Sequence, residues 1–263
     1  MNLRAIRAFI LDMDGVLYTG SQPLPGAVEF LSFLRQKEVP FLLLTNNATR
    51  TPARIAERLQ HMEMPVDARH ILTSSMATAR YLRQSNPNGT RVFVIGEDGL
   101  REPLSEQGLM LADTGNADYV VVGMDRALNY EKLKRATLLI RSGAQFVATN
   151  PDTTFPTTEG LVPGAGAIIA ALTAATGVSP HVIGKPSPFG FALALGMLGA
   201  VPATSAAVGD RLDTDIAGGH NAGLHTILVL TGVSSRSDLA VSALQPNWVY
   251  DDLIQLRSAL NGS

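Results

Sequence analysis

Carboxylates recur in this sequence at a spacing that can do chemistry. Asp12-Met13-Asp14-Gly15 follows the apolar run Arg7–Leu11, and Gly209-Asp210-Arg211-Leu212-Asp213-Thr214-Asp215 follows another run that ends at Val208. Between them, Thr45-Asn46-Asn47 closes the run Val39–Leu44, and Gly184-Lys185-Pro186 closes the short run His181–Ile183. Chain direction puts all four at the carboxyl ends of parallel strands, where ligands of open α/β sheets bind. Carboxylates gathered there repel each other by roughly 4 kcal/mol per close pair at an effective dielectric of 20. A hard divalent cation relieves that repulsion, and oxygen ligands without thiols or paired histidines point to Mg2+. Lys185 adds a fixed positive charge, while the Thr45 hydroxyl and adjacent backbone N–H groups add neutral donors. Metal, ammonium and donors together suit a phosphoryl group, whose transfer depends on charge stabilisation and in-line positioning. Asp12 and Asp14 can divide the labour. One carboxylate attacks and carries an aspartyl-phosphate; the other, on the same side of an extended chain, protonates the leaving oxygen and then activates water.

The elements that must hold these residues follow a βα rhythm. Arg7–Leu11 and Val39–Leu44 are apolar without alternation, as strands buried on both faces are. Further strands are expected at 91–95, 118–122, 145–149, 181–183, 204–208 and 224–230, with helical patterns near 75–84, 100–107, 130–142, 165–176, 188–199, 212–222 and 251–260. Pro25-Gly26 opens the amphipathic stretch 27–37, Thr51-Pro52 starts another helix, and Asn129 is placed to cap the one at Tyr130. The rhythm predicts an α/β fold with a doubly wound parallel sheet. The carboxylate-bearing strand ends lie on both sides of residues 76–179, a stretch with its own strands and helices. The expected division is therefore a core of 1–75 and 180–263 with 76–179 inserted as a second α/β domain.

Composition narrows the function classes. The chain has 263 residues, 46% of them hydrophobic, enough for a buried core, and a net charge of −2, which lacks the electrostatic footprint of a nucleic-acid binder. The absence of cysteine removes disulfides, thiolate metal sites and a thiol nucleophile. No signal-peptide pattern opens the chain and no apolar stretch is long enough to span a bilayer, so a cytoplasmic protein without membrane or nucleic-acid partners is expected.

The strings DMDGV, LLTNN, GKP and GDRLDTDI, in this order, closely resemble the four motifs of the haloacid dehalogenase (HAD) superfamily of phosphatases. VVGMDRALNYEKL, ATNPDTTFP and GAGA in the inserted stretch further resemble the NagD-like branch, subclass IIA. That branch includes nucleotide, sugar-phosphate, phosphoglycolate, pyridoxal-phosphate and p-nitrophenyl phosphatases, and the resemblance runs from about residue 7 to 255. It implies a Rossmann-like core with an α/β cap that sets specificity, and a small phosphorylated metabolite as substrate. It also implies Asp12 as nucleophile, Asp14 as general acid/base, and Thr45 and Lys185 on the phosphoryl group with Asn46 in the same loop. Mg2+ is implied on the Asp12 carboxylate, the Asp14 backbone carbonyl and Asp210, with Asp215 supporting the metal or its waters. Which of Asp213 and Asp215 lies nearer the metal stays open at this point. Arg211 stands where many relatives carry Asn. Asn150 and Asp152 are implied in a cap loop near the substrate, and relatives form homodimers through the cap.

Plainer roles compete for several of these residues. Asn150-Pro151-Asp152 also fits an ordinary turn, Thr45-Asn46-Asn47 a helix cap, and Arg50 a solvated arginine. The five histidines show no ligand spacing, and Trp248 fits packing better than stacking on a ligand. A phosphotransferase or mutase would use the same intermediate with a different acceptor, and a non-catalytic relative would keep only the fold.

Overall fold

The computed structural model describes residues 2–85, 89–157 and 159–262. They form two compact units, the first made of the chain up to Thr45, Ala53–Leu72 and the chain from Lys185 onward. Its sheet has six strands in the order Trp248–Tyr250, His225–Val229, Ser205–Gly209, Ala8–Leu11, Phe41–Thr45, Ile71–Thr73. Neighbours from Trp248–Tyr250 through Phe41–Thr45 pair in parallel. Strands covered on both faces have no polar side to show, and Ala8–Leu11, Phe41–Thr45 and Ser205–Gly209 are buried throughout.

Strand order reverses at Ala8–Leu11, which has Phe41–Thr45 on one side and the much later Ser205–Gly209 on the other. Leu11 is in register with Val208, and the Asp12 N–H donates to the Val208 carbonyl at 2.8 Å. Asp12 and Asp210 therefore leave neighbouring strands at the switch point where such sheets open a crevice. The helix Ala27–Gln36 buries Phe30, Leu31 and Leu34 against the same sheet, and Phe30 meets Phe9 edge-on with ring centroids 5.9 Å apart. Pro188–Leu198 starts on an N-cap, the Ser187 hydroxyl accepting from the Phe189 N–H, with Pro188 at its first position, where no N–H is needed.

The single helix expected at 212–222 is split. Leu212–Ile216 is a π-helical turn and Ala217–Asn221 a short α-helix. The Asp215 and Ile216 N–H groups both donate to the Arg211 carbonyl at 3.1 Å, so the chain widens just where the motif carries its acidic residues. Several elements without a strong apolar period escaped the sequence pattern, among them the strands Ile71–Thr73 and Trp248–Tyr250 and the helix Arg236–Val241.

The second unit comprises Asn46–Pro52 and Thr73–Gly184, a wider span than 76–179 and one that includes the loop after Thr45. Its larger sheet has five strands in the order His181–Val182, Gln145–Ala148, Tyr119–Val122, Arg91–Ile95, Met110–Leu111, every pair parallel. Helix Tyr130–Arg141 begins on Asn129, whose side chain accepts from the Lys132 N–H at 3.0 Å, with Glu131 in the first turn and Arg141 in the last. A hairpin, Thr154–Thr157 with Gly160–Pro163, follows the strand Gln145–Ala148. Among the described residues no helix is long and apolar enough to cross a membrane.

Phe30 is fully buried beneath the sheet that carries the acidic loops, so Phe30→Ala should destabilise the protein by about 3–5 kcal/mol. Chemical denaturation checks this; a loss below about 1 kcal/mol would contradict the packing described.

Candidate active site

The carboxyl edge of the first sheet gathers one ammonium and three carboxylates. Lys185 Nζ lies 2.7 Å from Asp12 Oδ1 and 2.6 Å from Asp215 Oδ1, with the lysine side chain only 5% exposed. Asp12, Asp210 and Asp215 each present an oxygen within 4.8 Å of the others. Burial pushes the Asp12 carboxyl well above the usual range against the pull of Lys185, and Asp215 and Asp210 add to the push. Burial and then Asp215 push Asp210 up to about 6, partly offset by the Val233 N–H. Burial works against the Lys185 ammonium, but Asp12 and Asp215 outweigh it and hold the group above the ordinary lysine range. One ammonium does not balance three ionised carboxylates, so full ionisation would leave the site with excess negative charge.

That excess, and the donor chemistry, fit a hard divalent cation. Asp210 Oδ2 accepts from the Val233 N–H at 2.7 Å, whereas its buried Oδ1 has no hydrogen-bond partner among the described residues. An orphaned carboxylate oxygen in a buried cluster costs free energy unless something cationic meets it. Of the two acidic residues left open by the sequence, Asp215 joins the cluster. Asp213 instead takes both ends of the Arg211 guanidinium, at 3.0 and 2.8 Å, which holds its carboxyl below the usual range. The π-helical turn makes this division, and the Arg211 N–H donates to Asp215 Oδ2 at 3.2 Å.

A loop that the sequence did not single out holds Asp210 in place. The Ser234 N–H donates to the Asp210 carbonyl at 3.0 Å, the Ser234 hydroxyl accepts from the Leu212 N–H at 3.1 Å, and the Thr231 hydroxyl donates to the Gly15 carbonyl at 2.6 Å. Gly232 packs its backbone directly on the Asp210 carboxylate, which a Cβ there would overlap. Gly15 also packs directly on that carboxylate, with φ +78°, a conformation side chains rarely adopt. The available signal was Thr231-Gly232-Val233-Ser234, which directly follows an apolar run at a parallel strand's carboxyl end.

Asp14 sits on the turn that Gly15 permits, and its Oδ2 accepts from the Tyr18 hydroxyl at 3.2 Å. Burial and the facing Asp14 push the Tyr18 hydroxyl far above its ordinary range, so it stays protonated. Thr45 ends its strand in the first unit and is buried. Asn46 belongs to the second unit, with the two loop residues picked out there. Its amide donates to Asp152 Oδ2 at 3.2 Å, the Asn150 amide donates to the Asn46 carbonyl at 2.8 Å, and the Asp152 N–H donates to Asn150 Oδ1 at 3.2 Å. Trp248 packs against the core and meets the His225 ring at 5.8 Å.

Known proteins share this arrangement of chain. A haloacid dehalogenase-like hydrolase model matches residues 9–110, and a second HAD hydrolase-like model matches residues 182–256. The acid sugar phosphatase of Staphylococcus epidermidis is 39% identical over 251 residues, covering 95% of this chain and 96% of that one. Among solved structures, the 4-nitrophenylphosphatase of Thermotoga maritima superposes with a TM-score of 0.93 at 38% identity, covering 98% of each chain. NagD from E. coli K-12 gives 0.89 at 38% identity, covering 96% of this chain and 98% of that one. With its motifs, its parallel-sheet core and these relatives in agreement, the chain belongs to the haloacid dehalogenase-like hydrolases, in their NagD-like subclass IIA, and is a phosphatase of that type.

Proposed function

We propose that this phosphatase hydrolyses a small phosphomonoester metabolite in the cytoplasm, with Mg2+ as cofactor and an aspartyl-phosphate on Asp12 as intermediate. The observation that carries the reading is the buried contact of Asp12 Oδ1 with Lys185 Nζ at 2.7 Å, beside Asp210 and Asp215. An acid sugar phosphatase among the relatives favours sugar phosphates over other small esters as the natural class, and the 4-nitrophenylphosphatase favours p-nitrophenyl phosphate as an artificial substrate.

In this reading the metal is held by the Asp12 carboxylate, the Asp14 backbone carbonyl and Asp210, with Asp215 in support. Bound there, Mg2+ supplies positive charge against the carboxylates and the phosphoryl oxygens. Lys185, Thr45 and Asn46 hold the remaining phosphoryl oxygens, and the second unit acts as the cap that selects the organic part of the substrate, with Asn150 and Asp152 in its substrate-facing loop. An Asp12 carboxylate oxygen then donates an electron pair to phosphorus. The ester P–O bond breaks, its pair stays on the leaving oxygen, and the Asp14 carboxyl supplies the proton that completes the alcohol. In the second step a water attacks the same phosphorus, Asp14 takes its proton, and the acyl-phosphate bond breaks to restore the Asp12 carboxylate. Asp14 thus changes from acid to base between the two steps.

Release of phosphate from p-nitrophenyl phosphate and from a panel of sugar phosphates, with Mg2+ and with a chelator, tests the reading. Metal-dependent turnover is expected, and no metal-dependent release from any of them would overturn it. Asp12→Asn should lower kcat by more than about a thousandfold while the thermal melt stays cooperative; near-normal turnover would exclude a carboxylate nucleophile at 12. Asp210→Asn should weaken Mg2+ by about tenfold or more, read from the Mg2+ dependence of turnover and from calorimetry. Gly232→Ala changes no carboxylate but forces Asp210 to move, so it should weaken Mg2+ as well and cost about 1–3 kcal/mol of stability. Unchanged Mg2+ dependence in both variants would remove Asp210 from the metal site.

A further inference from the structure

The proposed roles leave Tyr18 and Arg58 unused, although they are built against Asp14. Tyr18 lies four residues past Asp14, and its hydroxyl reaches back to Asp14 Oδ2 at 3.2 Å. The backbone closes the same loop: the Gly15 N–H donates to the Tyr18 carbonyl at 2.9 Å, and the Tyr18 N–H to the Met13 carbonyl at 3.3 Å. The tyrosine is 2% exposed and belongs to the main hydrophobic core, which fixes one side of its ring. The other contact comes from the helix Pro52–Gln60, where the Arg58 guanidinium lies 4.7 Å from the Tyr18 ring centroid and also donates to the Gly20 carbonyl. A cation over an aromatic face is held by the ring quadrupole, and a guanidinium tied to a backbone carbonyl gains a fixed orientation.

A buried aromatic ring would pack equally well without its hydroxyl. The oxygen requires a partner when buried, and here that partner is the carboxylate proposed to move the proton. General acids act only within a narrow range of distance and angle, and supporting hydrogen bonds hold them there. We propose that Tyr18 is a positioning residue for Asp14: its hydroxyl sets the orientation of the Asp14 carboxyl, and Arg58 sets the orientation of the Tyr18 ring. This rests on the reading of Asp14 as the general acid/base.

A structural tyrosine and a positioning tyrosine differ in how their loss depends on the leaving group. The alkoxide of a sugar phosphate needs a proton to depart, whereas p-nitrophenolate departs without one. The kcat/KM of each substrate reports events up to the first irreversible step, where this difference is felt. The experiment measures kcat and KM of the full-length Mg2+-loaded enzyme on a hydrolysed sugar phosphate and on p-nitrophenyl phosphate. It compares wild type, Tyr18→Phe, Arg58→Met and Asp14→Asn, with a thermal melt of each.

Tyr18→Phe should shift the ratio of the two kcat/KM values by about tenfold against the sugar phosphate, through kcat and with KM little changed. Arg58→Met should shift it the same way by less, and Asp14→Asn by more. Should Tyr18→Phe melt early, the Arg58→Met ratio decides alone. Equal losses on both substrates, or none, in Tyr18→Phe and Arg58→Met while Asp14→Asn shifts the ratio would overturn the positioning role and leave Asp14 standing. An unshifted ratio in Asp14→Asn would overturn the reading of Asp14, and the role of Tyr18 with it.

Discussion

The buried ammonium of Lys185, in contact with Asp12 and Asp215, is the interaction on which the rest depends. Three carboxylates within 4.8 Å of one another cannot all be charged on the strength of a single lysine. At an effective dielectric of 20 each close like pair costs roughly 4 kcal/mol, about what each opposite pair returns. The imbalance is relieved by a proton on one of the carboxyls or by another cation. Burial first, and then the neighbouring carboxylates, raise Asp12 and Asp210, and Asp210 Oδ1 has no hydrogen-bond partner among the described residues.

The fold exists to hold that unfavourable arrangement at a strand switch point. Ala8–Leu11 and Ser205–Gly209 are neighbours in the sheet although nearly 200 residues separate them, and their shared register sets Asp12 beside the start of the second acidic loop. The π-helical turn then sorts the two remaining carboxylates, with Asp215 facing Lys185 and Asp213 facing Arg211. Thr231–Ser234 braces Asp210, and the core behind Phe9 and Phe30 supplies the cohesion that offsets the local repulsion. Tyr18 extends the same principle to Asp14, whose Oδ2 accepts from the Tyr18 hydroxyl.

What could be read from the sequence follows from what leaves a local mark. Asp12 and Asp210 directly follow buried strands, where a charge is unusual enough to notice, and Lys185 follows the short run His181–Ile183. The parallel sheet was legible because its strands are apolar without alternation. Asp213 and Asp215 could not be told apart, because an α-helical and a π-helical turn give the same residues different directions and the sequence does not choose between them. Val233 and Gly232 act through a backbone N–H and a missing side chain, neither of which marks a sequence as a charge does. The hydrogen bonds among Asn46, Asn150 and Asp152 join positions about 100 residues apart, and no local pattern encodes them. For the same reason the loop after Thr45 was not assigned to the second unit.

The central claim is that the Asp12 carboxylate itself carries the phosphoryl group between two half-reactions. Rapid acid quench of the Mg2+-loaded enzyme during turnover of p-nitrophenyl phosphate, followed by mass spectrometry of its peptides, tests it most directly. The account predicts a peptide containing Asp12 that is heavier by one phosphoryl group, formed within the first turnover and lost once substrate is consumed. Full turnover in which that peptide never gains mass at any quench time, with inversion rather than retention at phosphorus of a chirally labelled substrate, would contradict it.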